Sequence, residues 1–193
     1  MKNIWFTSDL HFCHDRGFLY QPRGFTSIKE HDETIVENWN KTISNNDIVY
    51  LLGDLMLNDN ERGIQLIKQL NGQVIYYIRG NHCTDVRCGL YSTTKMIPLS
   101  GSFYNSWAAV QKINGYTFYL SHYPTITSYV ENMAPLKHHL INLHGHTHSK
   151  DKFYNDMPFC YNVALDAHNN YPVAFDEIIS DIEKKKDECL AML

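Results

Sequence analysis

The stretch "LHGHTHSK", residues 143–150, sets histidines at alternate positions: His144, His146 and His148. It closes an apolar run, residues 140–143, that reads as a β-strand. Alternate side chains of a strand share a face, so two or three imidazoles can converge on one spot. Rings held together this way suit a metal ion. His146 and His148 form the natural pair. His144, one step earlier, is expected to be a partly buried strand-end histidine.

Outward from this stretch, four more apolar runs end in the same kind of group. Residues 4–7 lead into Asp9-Leu10-His11 and residues 48–52 into Gly53-Asp54. Residues 74–78 lead into Gly80-Asn81-His82, and residues 116–120 into Ser121-His122. Asp, His and Asn are the O and N ligands that suit Mn, Fe, Ni or Zn. Each group lies just past the C-terminal end of a strand, where open α/β sheets build their sites. Singly, each has a plainer reading: D-x-H as a turn with a surface histidine, G-D as a turn, S-H-Y-P as a strand end. Their occurrence in order, each behind its own strand, has no such reading.

These five blocks, D-x-H, G-D, G-N-H, H and G-H-x-H, resemble the pattern of the calcineurin-like metallophosphoesterase superfamily. "VYLLGD", "LSHYP" and "YNVALD" also look like a group of compact bacterial and phage members. The resemblance covers nearly the whole chain. It implies an α/β fold: a four-layer α/β/β/α sandwich with two mixed β-sheets and a dinuclear metal site at strand C-terminal ends. Carried over by motif position, one ion takes Asp9, His11, Asp54 and His148. The other takes Asp54, Asn81, His122 and His146, with Asp54 as the bridge. His82 is then no ligand but the catalytic residue that stabilises or protonates the leaving oxygen. The family commonly has Asp or Glu after G-N-H, where this chain has Cys83. Asp85 is a nearby candidate to replace that acid.

The chemistry follows from this donor set. Two divalent ions about 3.5–4 Å apart cancel phosphate charge and clamp its oxygens. A water shared between them loses a proton and attacks phosphorus in line. Mn is the expected metal, with Fe, Ni or Zn as alternatives. His14 and Arg16, just past the first motif, are candidates for contact with the substrate phosphate. Arg79 and Arg87 are expected in surface ion pairs. His31, His138 and His139 are expected to be solvated, and His168 to be structural. Cys13 and Cys83 are read as inert thiols.

The rest of the chain bounds the function. At 193 residues with 44% hydrophobic content, it is expected to form a single domain spanning residues 1–193. Seventeen Lys and Arg against 21 Asp and Glu give a net charge of −4, which does not favour binding to long nucleic acid. No stretch reads as a secretory signal or a membrane span, and the five cysteines include no C-x-x-C pair. A cytoplasmic protein with free thiols is expected. Seven strands are expected, at residues 4–7, 48–52, 74–78, 108–113, 116–120, 140–143 and 161–165. Asn114-Gly115 signals a type I′ hairpin. Helices are expected from Ser27, with a Ser27/Glu30 capping box, over residues 60–70, and from about Asp176 onward.

The leading expectation is a phosphoesterase acting on a small or medium phosphate ester, with diesters favoured over monoesters. A nuclease on the same fold is the enzymatic alternative. A non-catalytic metal-binding module, as in the retromer subunit of this fold, is the other. That last reading expects losses among the ligands or at His82, and the sequence has none.

Overall fold

The computed structural model describes residues 2–83, 85–129 and 134–192, with the side chains of Asp85 and Val86 outside the description. Its strands are β1 Ile4–Thr7, β2 Ile48–Leu52, β3 Val74–Ile78, β4 Met96–Pro98, β5 Ala108–Ile113, β6 Tyr116–Ser121, β7 Leu140–His144, β8 Cys160–Asn162 and β9 Val173–Ala174. Its helices are α1 Gly17–Tyr20, α2 Ile28–Thr42, α3 Asn60–Lys68, α4 Asp85–Tyr91 and α5 Phe175–Leu190. One sheet has the order β4-β3-β2-β1-β9, the other β5-β6-β7-β8. Both are mixed: β9 runs antiparallel to β1, and β5 antiparallel to β6, in otherwise parallel sheets. The α/β/β/α sandwich expected from the sequence is the fold observed.

The pleat explains the apolar strands. Val49, Leu51, Ile75 and Tyr77 pack with Ile35, Val36 and Trp39 of α2 and with Ile64 and Ile67 of α3. The alternate residues Tyr50, Leu52, Tyr76 and Ile78 pack with Phe118 and Leu120 of β6 and Ile141 and Leu143 of β7. Strands covered on both faces read as continuous apolar runs rather than alternating ones. Ile178, Ile179 and Ile182 of α5 join this second core, and Tyr161 Oη of β8 donates to Asp181 at 2.6 Å. Trp39, fully buried, donates its indole N–H to the Asn71 carbonyl at 2.9 Å.

Local signals account for the element ends. Ser27 caps α2 by accepting from the Glu30 amide at 3.2 Å. The box closes differently from expectation: the Glu30 carboxylate accepts from the amide and hydroxyl of Thr26. Asn114 and Gly115 have φ of 50° and 86°, as a type I′ turn requires. The strand expected over residues 161–165 is shorter. After Asn162 the side chain of that residue accepts from the Ala164 amide, and the chain turns into the short helix Leu165–His168. The sequence reading did not include α1, α4, β4 or β9. All four are seven residues or shorter, too brief to show a period.

Register positions the site. Thr7 pairs with Leu51, and Leu51 with Tyr77, so β1, β2 and β3 end nearly flush. Leu120 pairs with Leu143, so β6 and β7 also end together. A parallel bridge between Ser8 and Ala164 joins the two sheets at this end. All five motif loops therefore leave the sandwich side by side.

Candidate metal centre

The loops that leave these strands are laced to one another. The Asp9 amide donates to Gly53 O at 3.1 Å, His11 N to Asp54 O at 2.9 Å, and Gly145 N to His122 O at 3.0 Å. The approach is close enough to demand glycine. A Cβ on Gly80 would collide with Asp54 Oδ1 and the Asp54 amide; one on Gly145 would collide with Ser8 Oγ and Asp9 Oδ2. Asp9, His11, Asp54, His146 and His148 all have positive φ, between 49° and 70°. Each such residue costs about 1–3 kcal/mol, and strain of this kind gathers at functional sites. It also corrects the opening expectation. His144 ends β7, but His146 and His148 lie beyond it and converge through left-handed backbone rather than strand alternation.

Asp54 Oδ2 lies 3.7 Å from His11 Nε2 and 3.3 Å from His122 Nε2, between the two rings. Asp9 Oδ1 lies 3.5 Å from His11 Nε2 and 3.7 Å from His148 Nε2. Asn81 Oδ1 lies 2.9 Å from His122 Nε2 and 3.0 Å from His146 Nδ1. Asp9, His11 and His148 offer ligand atoms within 4.8 Å of one another, as do Asp9, Asp54 and His122. Asp9 thus reaches both groupings, whereas the resemblance gives it to one ion.

The remaining atoms of these side chains are held from behind. His122 Nδ1 lies 2.8 Å from the Leu52 carbonyl, which fixes that nitrogen as a donor and turns Nε2 inward. His148 Nδ1 faces Asp166 Oδ2 at 3.1 Å. Asp9 Oδ2 accepts from Ser8 Oγ at 2.5 Å and from the His146 amide at 3.0 Å. Two inward atoms, Asp9 Oδ1 and His11 Nε2, are buried and have no hydrogen-bond partner. Leaving such groups unmet costs about 1–3 kcal/mol each or more for a charge. A divalent cation between them satisfies both, so the residues fit a metal.

The electrostatics agree. Burial would raise Asp9, but the neighbouring His11 ring and the charges of His122 and His148 hold it well below the usual carboxylate range. Burial would raise Asp54 too, and the His122 hydrogen bond lowers it. Burial pushes His11 down to about 4. Burial would lower His122 as well, yet the Asp54 hydrogen bond and the Asp9 and Asp54 charges carry it up to about 9. The two carboxylates stay ionised and draw positive charge between them.

Behind His148 stands a group that sequence reasoning missed. Arg23, 8% exposed, donates to both Asp166 oxygens, at 3.0 and 2.7 Å, and to the Asp9 carbonyl at 2.9 Å. Its Nη1 lies 3.0 Å from His31 Nε2, whose Nδ1 meets Asp32 at 3.0 Å. His31 was expected in solvent but is fully buried, because this arginine and carboxylate satisfy both its nitrogens. Arg23 lies in no motif and 143 residues from its partner Asp166, so no local signal could reveal it.

The other sequence expectations divide. His14 is buried beside His11, with their Nδ1 atoms 3.1 Å apart, and it lines the cleft. Arg16 is exposed, its guanidinium against the Asp15 carbonyl, and it is not among the lining residues. His138 is exposed as expected, but His139 is buried, stacked on Phe159 at 4.3 Å with Nε2 on the Ala134 carbonyl. His144 is fully rather than partly buried, its Nδ1 2.9 Å from the Gly145 carbonyl. His168 is structural, with Nε2 on the Asn162 carbonyl at 2.8 Å.

His82 lines the cleft, its ring 5.4 Å from those of His11 and His14. Its amide donates to Asp54 Oδ1 at 2.9 Å. The expectation for Asp85 concerns a side chain outside the description. Arg79 and Arg87, for which surface ion pairs are expected from the sequence, fasten this loop. Arg79 donates to the carbonyls of Cys83 and Tyr104 and stacks on Trp107, and the buried Arg87 donates to the His82 carbonyl. Cys88 and Tyr77 beside it, with the Arg79 charge, hold the buried Cys83 thiol below its ordinary value.

The family profile of the calcineurin-like phosphoesterases matches residues 2–192. The chain belongs to that family. A calcineurin-like phosphoesterase is a metal-dependent hydrolase of phosphate esters, and the ligand groupings above are where this one would hold divalent ions. An uncharacterized protein of Methanocaldococcus jannaschii is 33% identical over 190 residues, covering 96% of this phosphoesterase and 94% of that protein. The Gene 66 protein of Mycobacterium phage D29 is 29% identical over 204 residues, covering 95% and 99%. In structure, a protein of unknown function from Aquifex aeolicus superposes with a TM-score of 0.69 at 22% identity, covering 93% of this chain and 99% of that one, a likeness of fold. Among the described residues of this phosphoesterase, no helix is long and apolar enough to cross a membrane.

Proposed function

We propose that this protein is a dinuclear metal-dependent phosphodiesterase for a small or medium ester, with Mn as the expected metal. The observation that carries the diester preference is the lining of the cleft. The cleft has a volume of about 350 Å³, and none of the described residues lining it is a lysine or arginine. A phosphomonoester brings a second negative charge that usually calls for added cations. A diester brings one.

When bound, two divalent ions neutralise the phosphate and lower the pKa of the attacking water. Asp54 would bridge them, since Oδ2 lies between His11 and His122. Asp9, His11 and His148 would complete one shell, and Asn81, His122 and His146 the other. His14, buried at the rim, would contact a phosphoryl oxygen. His82 is assigned to the leaving oxygen: its ring lines the cleft 5.4 Å from that of His11, and its amide is tied to Asp54. A ring nitrogen of His82 donates to that oxygen as the ester bond breaks.

The test compares Mn²⁺-supported kcat/KM for bis(p-nitrophenyl) phosphate and p-nitrophenyl phosphate, with a chelator control. A diester preference abolished by chelation is expected. A clear monoester preference would overturn the diester assignment, and chelator-resistant hydrolysis would overturn the metal centre.

A further inference from the structure

The cleft has two unlike walls. One is the polar wall of the metal centre. The other is apolar, formed by Phe18, Leu19 and Pro22 at and just after α1. Leu19 is buried, but Phe18 is 74% exposed, a large aromatic ring left in water at the mouth of a polar site. Scattered exposed apolar residues are ordinary. This one is not scattered: it continues a buried apolar surface directly into a ligand-sized cavity.

Ring contacts place that wall relative to the chemistry. Phe18 meets His14 edge-on at 6.0 Å, and His14 lies 5.4 Å from His82. The series Phe18, His14, His82 thus runs from the mouth of the cleft to the group assigned above to the leaving oxygen. We infer that Phe18 is a specificity-determining residue that stacks on a flat apolar group carried by the leaving oxygen of the ester. The inference rests on the proposed phosphodiesterase reading for the direction of cleavage. The volume of about 350 Å³ is near the low end for ligand pockets, enough for a phosphate and a ring against this wall. Aryl groups and nucleobases share the π-face that such a stack requires.

Binding and turnover test this separately. The binding probes are inorganic phosphate, methylphosphonate and benzylphosphonate, titrated into the Mn²⁺-loaded protein and into Phe18→Ala. Benzylphosphonate is expected to bind about fivefold more tightly than methylphosphonate to the wild type, the size of one ring–ring contact. Phe18→Ala should erase that gain while leaving phosphate and methylphosphonate unchanged. A gain that survives Phe18→Ala, or no gain in the wild type, overturns the wall. Failure of all three anions to bind the Mn²⁺-loaded protein overturns the phosphate-binding metal centre and the wall with it. For turnover, p-nitrophenyl phenylphosphonate and p-nitrophenyl methylphosphonate differ only in the retained group. Phe18→Ala should lower kcat/KM by the same factor for both. A larger loss for the phenylphosphonate puts Phe18 beside the retained group and overturns the assignment to the leaving side.

Discussion

The carboxylate of Asp166 accepts from His148 Nδ1 at 3.1 Å, and so aims Nε2 of that ring at Asp9 Oδ1. Asp166 is in turn clamped by Arg23, which also holds the Asp9 carbonyl. One arginine therefore sets the positions of two candidate ligands. Removing such a supporting partner typically costs 10–100-fold in metal affinity.

Asp166→Asn is accordingly expected to weaken one of two bound ions by about 10–100-fold and to spare the other. Calorimetric titration of the metal-free protein with Mn²⁺ would show a split into one strong and one weakened step. Two unchanged steps would mean that His148 is oriented by something else.

His82→Ala should keep both ions and lose about 10²–10⁴ in turnover on esters with poor leaving groups, the usual worth of a positioned acid. Metal content and rate are read on the same sample. Loss of metal would make His82 a ligand, and an unchanged rate would make it idle.

The motif blocks and the strands behind them were legible in the sequence because each is local. β1, β2, β3 and β5 stand where their apolar runs predicted, and α2 begins at the Ser27 cap. What stayed hidden depends on distance in the chain. Arg23 and Asp166 meet across 143 residues, and His31 and His139 are buried by partners that composition cannot name. The convergence of His146 and His148 was foreseen, but its cause was not, since left-handed backbone after β7 leaves no periodic trace.

Gly80→Ala tests how tightly the loops are laced. The added methyl meets Asp54 Oδ1 and the Asp54 amide, and the backbone there cannot swing aside. A loss of about 1–3 kcal/mol in stability is expected from overpacking, together with weakened metal binding. Urea unfolding of the metal-free protein isolates the first effect. An unchanged midpoint would mean that the loops are looser than their spacing indicates.

The most direct test of a shared centre is the metal content of Asp54→Asn. Asp54 Oδ2 lies 3.7 Å from His11 Nε2 and 3.3 Å from His122 Nε2, so one carboxylate faces both rings. Elemental analysis after loading with Mn²⁺ and gel filtration should find two ions per wild-type chain. The folded mutant should lose ions from both positions and retain less than one per chain. Two tightly held ions in Asp54→Asn would contradict the account.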